Sequence, residues 1–414
     1  MLNYIYQIII VLYISDIFKF FLKRSDNLST IGVIAEFNPL HKGHEYLLKE
    51  ARKQGPVVCV ISSNFVQRGD TAIAEKRLRT KFALQCGADL VLELPVLWSM
   101  STAQNFALGS VSALGFAGCD KIIFGSECGN IETLEKTAQI LSSAEFSDNL
   151  AEQLKTGVTF AAAREKAALL CGAENILSGA NNILGIEYIT AAKNLGFDIE
   201  FETLKRIGAA HDSLDEAEFV SASLLRKKLL SGEFNFCKKY IPEKVIEMLN
   251  DDNLSDIRLL ETAILATLRT RSIVELSKLP DISEGVENKL FSAIRLATDL
   301  DGLYNEIKVK RYTLARIRRL VLSAFIGSDN SFFMKPLPYL RVLGFTKEGQ
   351  TLLKNISKTC PVPVITKVSE IANLEPSIQK VFETECKATD LFCLSLKKPQ
   401  PCGLEYTAKI IKTE

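Results

Sequence analysis

The sequence predicts an α/β fold: a doubly wound parallel sheet, followed by a helical domain and a small mixed α/β C-terminal portion. Three observations predict it. From Thr30 onward short apolar runs of strand length alternate with helical stretches, the connections between them are short, and the pattern turns helical beyond about Glu233. The expected division is a leader at 1–29, a sheet domain at 30–233, a helical domain at 234–330 and the mixed portion at 331–414. In sheets of this kind ligands bind beyond the carboxyl ends of the strands.

Each element has its own reason. "IGVIAEF" (31–37) is a continuous apolar run of the kind a strand buried on both faces requires. "GHEYLLKEARK" follows as a helix with His44, Leu47, Leu48 and Ala51 on one face. "VVCVISS" (57–63) is a second strand, and "EKRLRTKFALQCG" a helix ending at Gly87. "DLVLELP" is the third strand, Thr102 to Phe116 the third helix and "KIIFGSE" the fourth strand. "NNILGIEYITAAKNLG" continues as helix, "DIEFETLKR" as strand and "SASLLRKKLLSG" as helix. The stretch from "IPEKVIEML" to "RYTLARIRRLVLSAF" reads as helical. The end of the chain mixes a strand-like "PVPVITKV" with short helices and "DLFCLSL". Polar remnants after the strands, at Asn38 to His44, Asn64 to Asp70 and Gly125 to Glu127, mark the ligand-binding edge.

Composition bounds the function classes. The 414 residues suffice for two or three domains, and 47% hydrophobic with 24% charged residues describes an ordinary soluble globular chain. A net charge of +1 announces neither nucleic acid nor membrane, so any basic footprint is local. The ten cysteines are scattered, with no CxxC pair, which favours buried thiols over a disulfide framework or zinc site. The leader "YIYQIIIVLYISDIFKFFLKR" is interrupted by Gln7, Asp16 and Lys19, and its unbroken core is far shorter than the ~20 residues of a spanning helix. It has no basic segment ahead of the apolar run and no small-residue cleavage site. It reads first as a non-native or misassigned start, with an accessory helix or membrane contact as alternatives. The expected compartment is the cytoplasm, with no stable membrane partner.

Two of the three histidines, His41 and His44, stand together in "FNPLHKGH", where the first strand hands over to a helix. A helix start favours an anion through its N–H groups and dipole. Imidazoles there can donate to phosphate oxygens, and Gly43 lets the chain approach a phosphate closely. Taken alone, the pair also fits histidines simply satisfied at a helix start. A metal pair is less favoured, because no third ligand lies nearby.

The stretch "FNPLHKGH" resembles the HxGH signature of the nucleotidylyltransferase superfamily, which moves adenylyl groups from ATP with release of pyrophosphate. "SASLLR", Ser221 to Arg226, is similar to that superfamily's second element, with Ser223 in place of the usual threonine and Leu225 for isoleucine. "SSNFVQRGDTAI", "DLVLELP", "FGSE", "NNILGIEYI", "KRIGAAHD" and "KRYTLARIRR" resemble, in order, the bacterial tRNA(Met) cytidine acetate ligase family. The resemblance runs from about Ile31 to about Tyr406. It departs at Ala180, where the family usually has proline, and in "GAAHD", which lacks an aromatic before the histidine.

The resemblance implies a Rossmann-like sheet domain and an enzyme, an ATP-dependent ligase. It would form acetyl-adenylate from ATP and acetate with Mg2+, then acetylate the wobble cytidine of elongator tRNA(Met). By position it implies an ATP-binding stretch of Ile34, Ala35, Glu36, Phe37, Asn38, Pro39, Leu40, His41, Lys42, Gly43, His44, Glu45, Tyr46 and Leu47, with Gly125, Asn181, Arg206, Ser223 and Arg226 as further contacts. His41 and His44 would be catalytic, and Glu36 is a candidate base for acetyl transfer. No metal ligands are assigned. "KVKRYTLARIRR", Lys308 to Arg319, carries six basic residues and no acid, which suits either tRNA phosphate contact, with Tyr312 for stacking, or a solvated basic helix. "EKRLRTK" is a second basic segment, beside the nucleotide site. Two other functions remain open: a small-molecule (coenzyme precursor) adenylyltransferase, and a non-catalytic RNA- or ribosome-binding factor.

Overall fold

A computed structural model describes residues 29–206, 220–283, 285–309 and 312–413. The leader up to residue 28, the end of "KRIGAAHD", Lys310 and Arg311 lie outside the described residues. Among those described, no helix is long and apolar enough to cross a membrane.

The strands of the main sheet are β1 (Ile31–Ala35), β2 (Val57–Ser62), β3 (Leu90–Leu94), β4 (Lys121–Ser126), β5 (Glu200–Lys205), β6 (Leu340–Phe345), β7 (Val364–Ile365) and β8 (Ile411–Lys412). They form one sheet in the order β8-β6-β3-β2-β1-β4-β5, with β7 also paired to β6. The first five run parallel. The helices that matter here are α1 (Lys42–Gln54), α2 (Lys76–Gln85), α3 (Ala103–Phe116), α4 (Ala180–Leu195), α5 (Ala222–Leu230), α6 (Leu314–Ile326), α7 (Lys347–Thr359) and α8 (Pro376–Cys393). The chain passes from β3 back toward β1 and then out to β4, so strand order reverses between β1 and β4. That reversal is the topological switch point, where doubly wound sheets open a crevice.

Both faces of the sheet are covered, which is why its strands are apolar throughout. Along β1, Val33 belongs to the layer shared with Leu48 of α1 and Phe82 of α2. Ile34, one residue on, belongs to the opposite layer with Leu114 of α3 and Ile186 of α4. Gly32 permits this: a Cβ there would stand 2.7 Å from the Leu114 side chain.

The C-terminal portion is knitted into this sheet. β6 pairs antiparallel with β3, and β8 extends the sheet beyond it. A buried ionic cluster reinforces the join. Lys76 Nζ lies 2.5 Å from Glu385 and 2.6 Å from Glu405 and also meets Glu93; Arg341 pairs with Glu405 at 2.6 Å and Arg77 with Glu405 at 2.8 Å. Three cations thus face three carboxylates in the interior. Glu93, Glu385 and Glu405 form the one three-ligand set able to hold a metal ion among the described residues, but the Lys76 ammonium already sits among them. The segment "EKRLRTK", expected as a second basic patch beside the nucleotide site that either tRNA or the ATP phosphates could explain, is interior at Lys76 and Arg79 and paired at Arg77.

The helical part builds a third core from Leu260, Leu268, Leu290, Leu303 and Leu320, to which the sheet domain contributes Phe65 and Val96. All ten cysteines are free thiols.

Candidate nucleotide site

After β1 the chain makes a tight loop into α1. Phe37 takes a left-handed φ of 47°, uncommon for a bulky residue, and its ring is fully buried. The loop backbone is held from three sides. Arg226 Nη1 of α5 donates to the Asn38 carbonyl at 2.8 Å, and Arg79 donates to the Glu36 carbonyl at 2.7 Å. The Asn38 side-chain oxygen accepts from the Ile73 N–H at 2.7 Å.

His41 is the N-cap of α1. Its Nδ1 accepts from the Gly43 N–H at 3.1 Å, while its own N–H donates to Nδ1 of His44 at 3.4 Å. Each Nδ1 is an acceptor, so in the neutral rings Nε2 carries the proton. Burial, then the charge of Arg206, lowers His41 to about 4. Burial, His41 and Arg206 hold His44 well below the usual histidine range. Both are neutral donors at physiological pH. The expectation that α1 amides receive an anion meets a different arrangement. Lys42 N–H donates to the Tyr240 carbonyl at 2.8 Å and Gly43 N–H to His41, so the imidazoles stand where free amides were expected.

The opposite wall comes from β4, α4 and β5. At Gly125 a Cβ would lie 3.3 Å from Arg206 Cγ, so the glycine makes room for that side chain. Arg206 N–H bonds the Ser126 carbonyl at 2.9 Å, and its Nη1 reaches the Asn181 side-chain oxygen at 3.5 Å. Glu127 accepts from Asn181 Nδ2 at 2.6 Å and from the N–H groups of Asn181 (3.1 Å) and Asn182 (2.8 Å). Burial opposes its ionisation, but those donors outweigh it and hold the carboxyl below its usual range. Glu127 thereby occupies the start of α4, where a helix favours negative charge.

The structure thus brings His41, His44, Gly125, Asn181 and Arg206 to the two sides of the switch point. Of the remaining stretch, Ile34, Ala35, Pro39 and Leu40 are buried in support, while Lys42 and Tyr46 are exposed. Leu47 is half-buried, and Glu45 pairs with Lys49 at 3.1 Å. Arg226 acts on the loop backbone through Asn38. Ser223 lies exposed in the first turn of α5, its hydroxyl 3.1 Å from that of Ser221, which caps the helix. Glu36 accepts from the Gln67 N–H at 2.9 Å, and burial pushes its carboxyl up against that bond and the charges of Arg226, Arg79 and Arg68. Sequence reasoning left out Glu127, Arg79 and Gln67 as site residues. Glu127 and Gln67 stood within the polar remnants after strands; Arg79 stood within the basic segment "EKRLRTK", but its role in holding backbone carbonyls was not legible there.

In the expected basic patch, Arg316 and Arg319 both engage Asp281, at 3.6 and 3.2 Å, and Arg318 lies over Tyr304. Arg319 also donates to the Gln67 carbonyl at 3.2 Å.

A Rossmann-like sheet whose switch point carries a strand, an HxGH loop and a helix defines a nucleotidyltransferase-type nucleotide-binding domain. The family model for HIGH Nucleotidyl Transferase matches residues 28–405. The chain is 38% identical over 401 residues to the tRNA(Met) cytidine acetate ligase of Thermoanaerobacter sp. (strain X514), covering 93% of this chain and all of that protein. It is 39% identical over 402 residues to the ligase of the same name from Caldanaerobacter subterraneus subsp. tengcongensis, with the same coverage. Thermotoga maritima TmcAL bound with alpha-thio ATP superposes with a TM-score of 0.86 at 30% identity, covering 93% of this chain and 99% of that one. Its apo form gives 0.87. This chain belongs to the tRNA(Met) cytidine acetate ligase family.

Proposed function

We propose that this protein forms acetyl-adenylate from ATP and acetate and transfers the acetyl group to the wobble cytidine of elongator tRNA(Met), giving N4-acetylcytidine. The observation that carries this reading is the convergence of His41, His44, Asn181 and Arg206 on one switch point, in a chain of that ligase family.

Acetate is ionised at neutral pH and needs no base. One carboxylate oxygen attacks the α-phosphorus of ATP, the P–O bond to the β-phosphate breaks, and pyrophosphate leaves. The neutral Nε2–H groups of His41 and His44 donate to oxygens that gain charge during that displacement, and Arg206 adds a full positive charge. Asn181 offers both a donor and an acceptor for the ribose or base edge. In the second step the exocyclic amine of cytidine attacks the acetyl carbon, AMP leaves, and the amine gives up a proton. Glu36, whose carboxyl is pushed up by burial, is the candidate acceptor.

At the switch point Glu127 is committed to α4 and Glu36 to Gln67, so the described residues there offer no carboxylate cage. This fits Mg2+ carried by the phosphates of ATP, which when bound would neutralise the charge of the departing pyrophosphate. A tRNA substrate makes the cytoplasm the working compartment. The test is pyrophosphate release with ATP, magnesium and acetate, with and without elongator tRNA(Met). Acetate-dependent release with acetate label appearing in the tRNA supports the ligase. Release that ignores acetate but responds to a coenzyme precursor overturns it in favour of a small-molecule adenylyltransferase.

A further inference from the structure

The outer edge of β6 is only partly covered. β7 pairs with Leu340 and Arg341, β8 pairs with Gly344 and Phe345, and between them Val342 and Leu343 line an open groove of about 1170 Å³. Lys354 and Lys358 of α7 stand over one wall, Lys367 follows β7, and Lys409 and Lys412 come from the C-terminal segment. All five are exposed, and no ion pair engages any of them among the described residues. Among the described residues no aspartate or glutamate lines the groove. Arg77 and Arg341, which also reach it, are already held by Glu405.

A concave wall with one sign of charge focuses field and concentrates anions. The charges come from three separate segments along an open channel, which suits an extended polyanion better than a small enclosed anion. Tyr406, 59% exposed at the rim, adds an aromatic face on which a base can stack. β6 runs antiparallel to β3, so its Leu340 end lies at the same end of the sheet as the switch point, and the groove runs from there along β6 toward Lys367, Lys409 and Lys412. Four strand steps separate β1 from β8, about 19 Å at ~4.8 Å per step.

We propose that this groove binds the phosphate backbone of the tRNA while the wobble cytidine lies at the switch point. The proposal rests on the acetate-ligase reading and goes beyond it by naming the surface. It also differs from the α6 helix, where Asp281 already engages Arg316 and Arg319.

The experiment compares the parent with Lys354→Glu/Lys358→Glu/Lys409→Glu and with the neutral Lys→Gln triple at the same positions. It measures elongator tRNA(Met) affinity across a salt series, together with acetate-dependent ATP–pyrophosphate exchange without tRNA. The expected result is at least a tenfold loss of affinity at low salt and a salt slope shallower by about 2–3, with the Gln triple intermediate and exchange unchanged in both. Parent-like affinity and slope in either variant, with parent-like exchange as evidence of folding, would overturn the proposal. Binding of polyglutamate that depends on these lysines while tRNA affinity does not would reassign the groove to an acidic protein partner. A parent that performs the exchange but binds no tRNA overturns this proposal and leaves adenylate formation standing; a parent with neither overturns the functional reading itself.

Discussion

The rings of His41 and His44 stack with centroids 3.9 Å apart and an interplanar angle of 22°, and each Nδ1 faces a backbone N–H. The backbone, rather than a carboxylate, therefore chooses the tautomer of both residues. Two Nε2–H donors are oriented before any ligand arrives, and Phe37 packs edge-on against His44 at 5.3 Å to hold that ring. Donors fixed in advance need no reorganisation when charge develops on phosphate oxygens.

Removing one donor has a size. His44→Ala should lower acetate-dependent ATP–pyrophosphate exchange by about 10²–10³-fold, with a smaller loss of stability from the His41 N–H that its Nδ1 accepts. His41→Ala should lose the same chemistry and, because His41 caps α1, about 1 kcal/mol of stability as well. Exchange rates beside urea unfolding separate the two; full exchange in His44→Ala removes that imidazole from the mechanism.

The pH dependence follows from burial. His41 titrates at about 4 and His44 also lies well below its usual range, so both stay neutral from about pH 5.5 to 8 in the free protein. At fixed concentrations of ionised acetate and of fully ionised ATP, the profile of kcat/KM for ATP should show no inflection near 6.5 from either imidazole. An inflection between about 6 and 7 that vanishes in His44→Ala would point to a protonated imidazole instead.

Arg226 supports the HxGH loop through its backbone. Arg226→Ala removes the 2.8 Å bond to the Asn38 carbonyl and leaves that buried loop short of a charged donor. The expected effect is a rise of about tenfold in KM for ATP. Isothermal titration with a non-hydrolysable ATP analogue checks it, and an unchanged affinity would assign Arg226 to folding alone.

Lys76 holds the C-terminal portion to the sheet by charge. Lys76→Met leaves Glu93, Glu385 and Glu405 buried together with one cation fewer, at a cost of about 3–5 kcal/mol. Urea unfolding measures this, and adding Glu385→Gln should recover part of it. No recovery would mean that Lys76 acts through packing rather than charge.

Some of this was legible before any coordinates. β1 to β5 and α1 to α5 stood out because strands buried on both faces are apolar without interruption and alternate with helix-length stretches across short connections. β6 stayed hidden. "LRVLGF" carries Arg341, which looks wrong for a central strand until Glu93 and Glu405 are seen to neutralise it. The three helices between β4 and α4 were likewise left unread.

By itself the sequence determined the layered α/β fold, the HxGH loop and the family, because periodicity and motif spacing are local properties of a chain. Tertiary structure decided which charges are used and which are free. Arg316, Arg319, Lys76 and Arg79 look like surface cations in sequence, yet folding commits them to Asp281, to interior carboxylates or to backbone carbonyls. Lys354, Lys358 and Lys409, unremarkable in sequence, are left facing one groove. The reason is physical: a charge acquires its role from the opposite charges and the dielectric around it, and both are set by residues distant in sequence, as Glu385 is from Lys76.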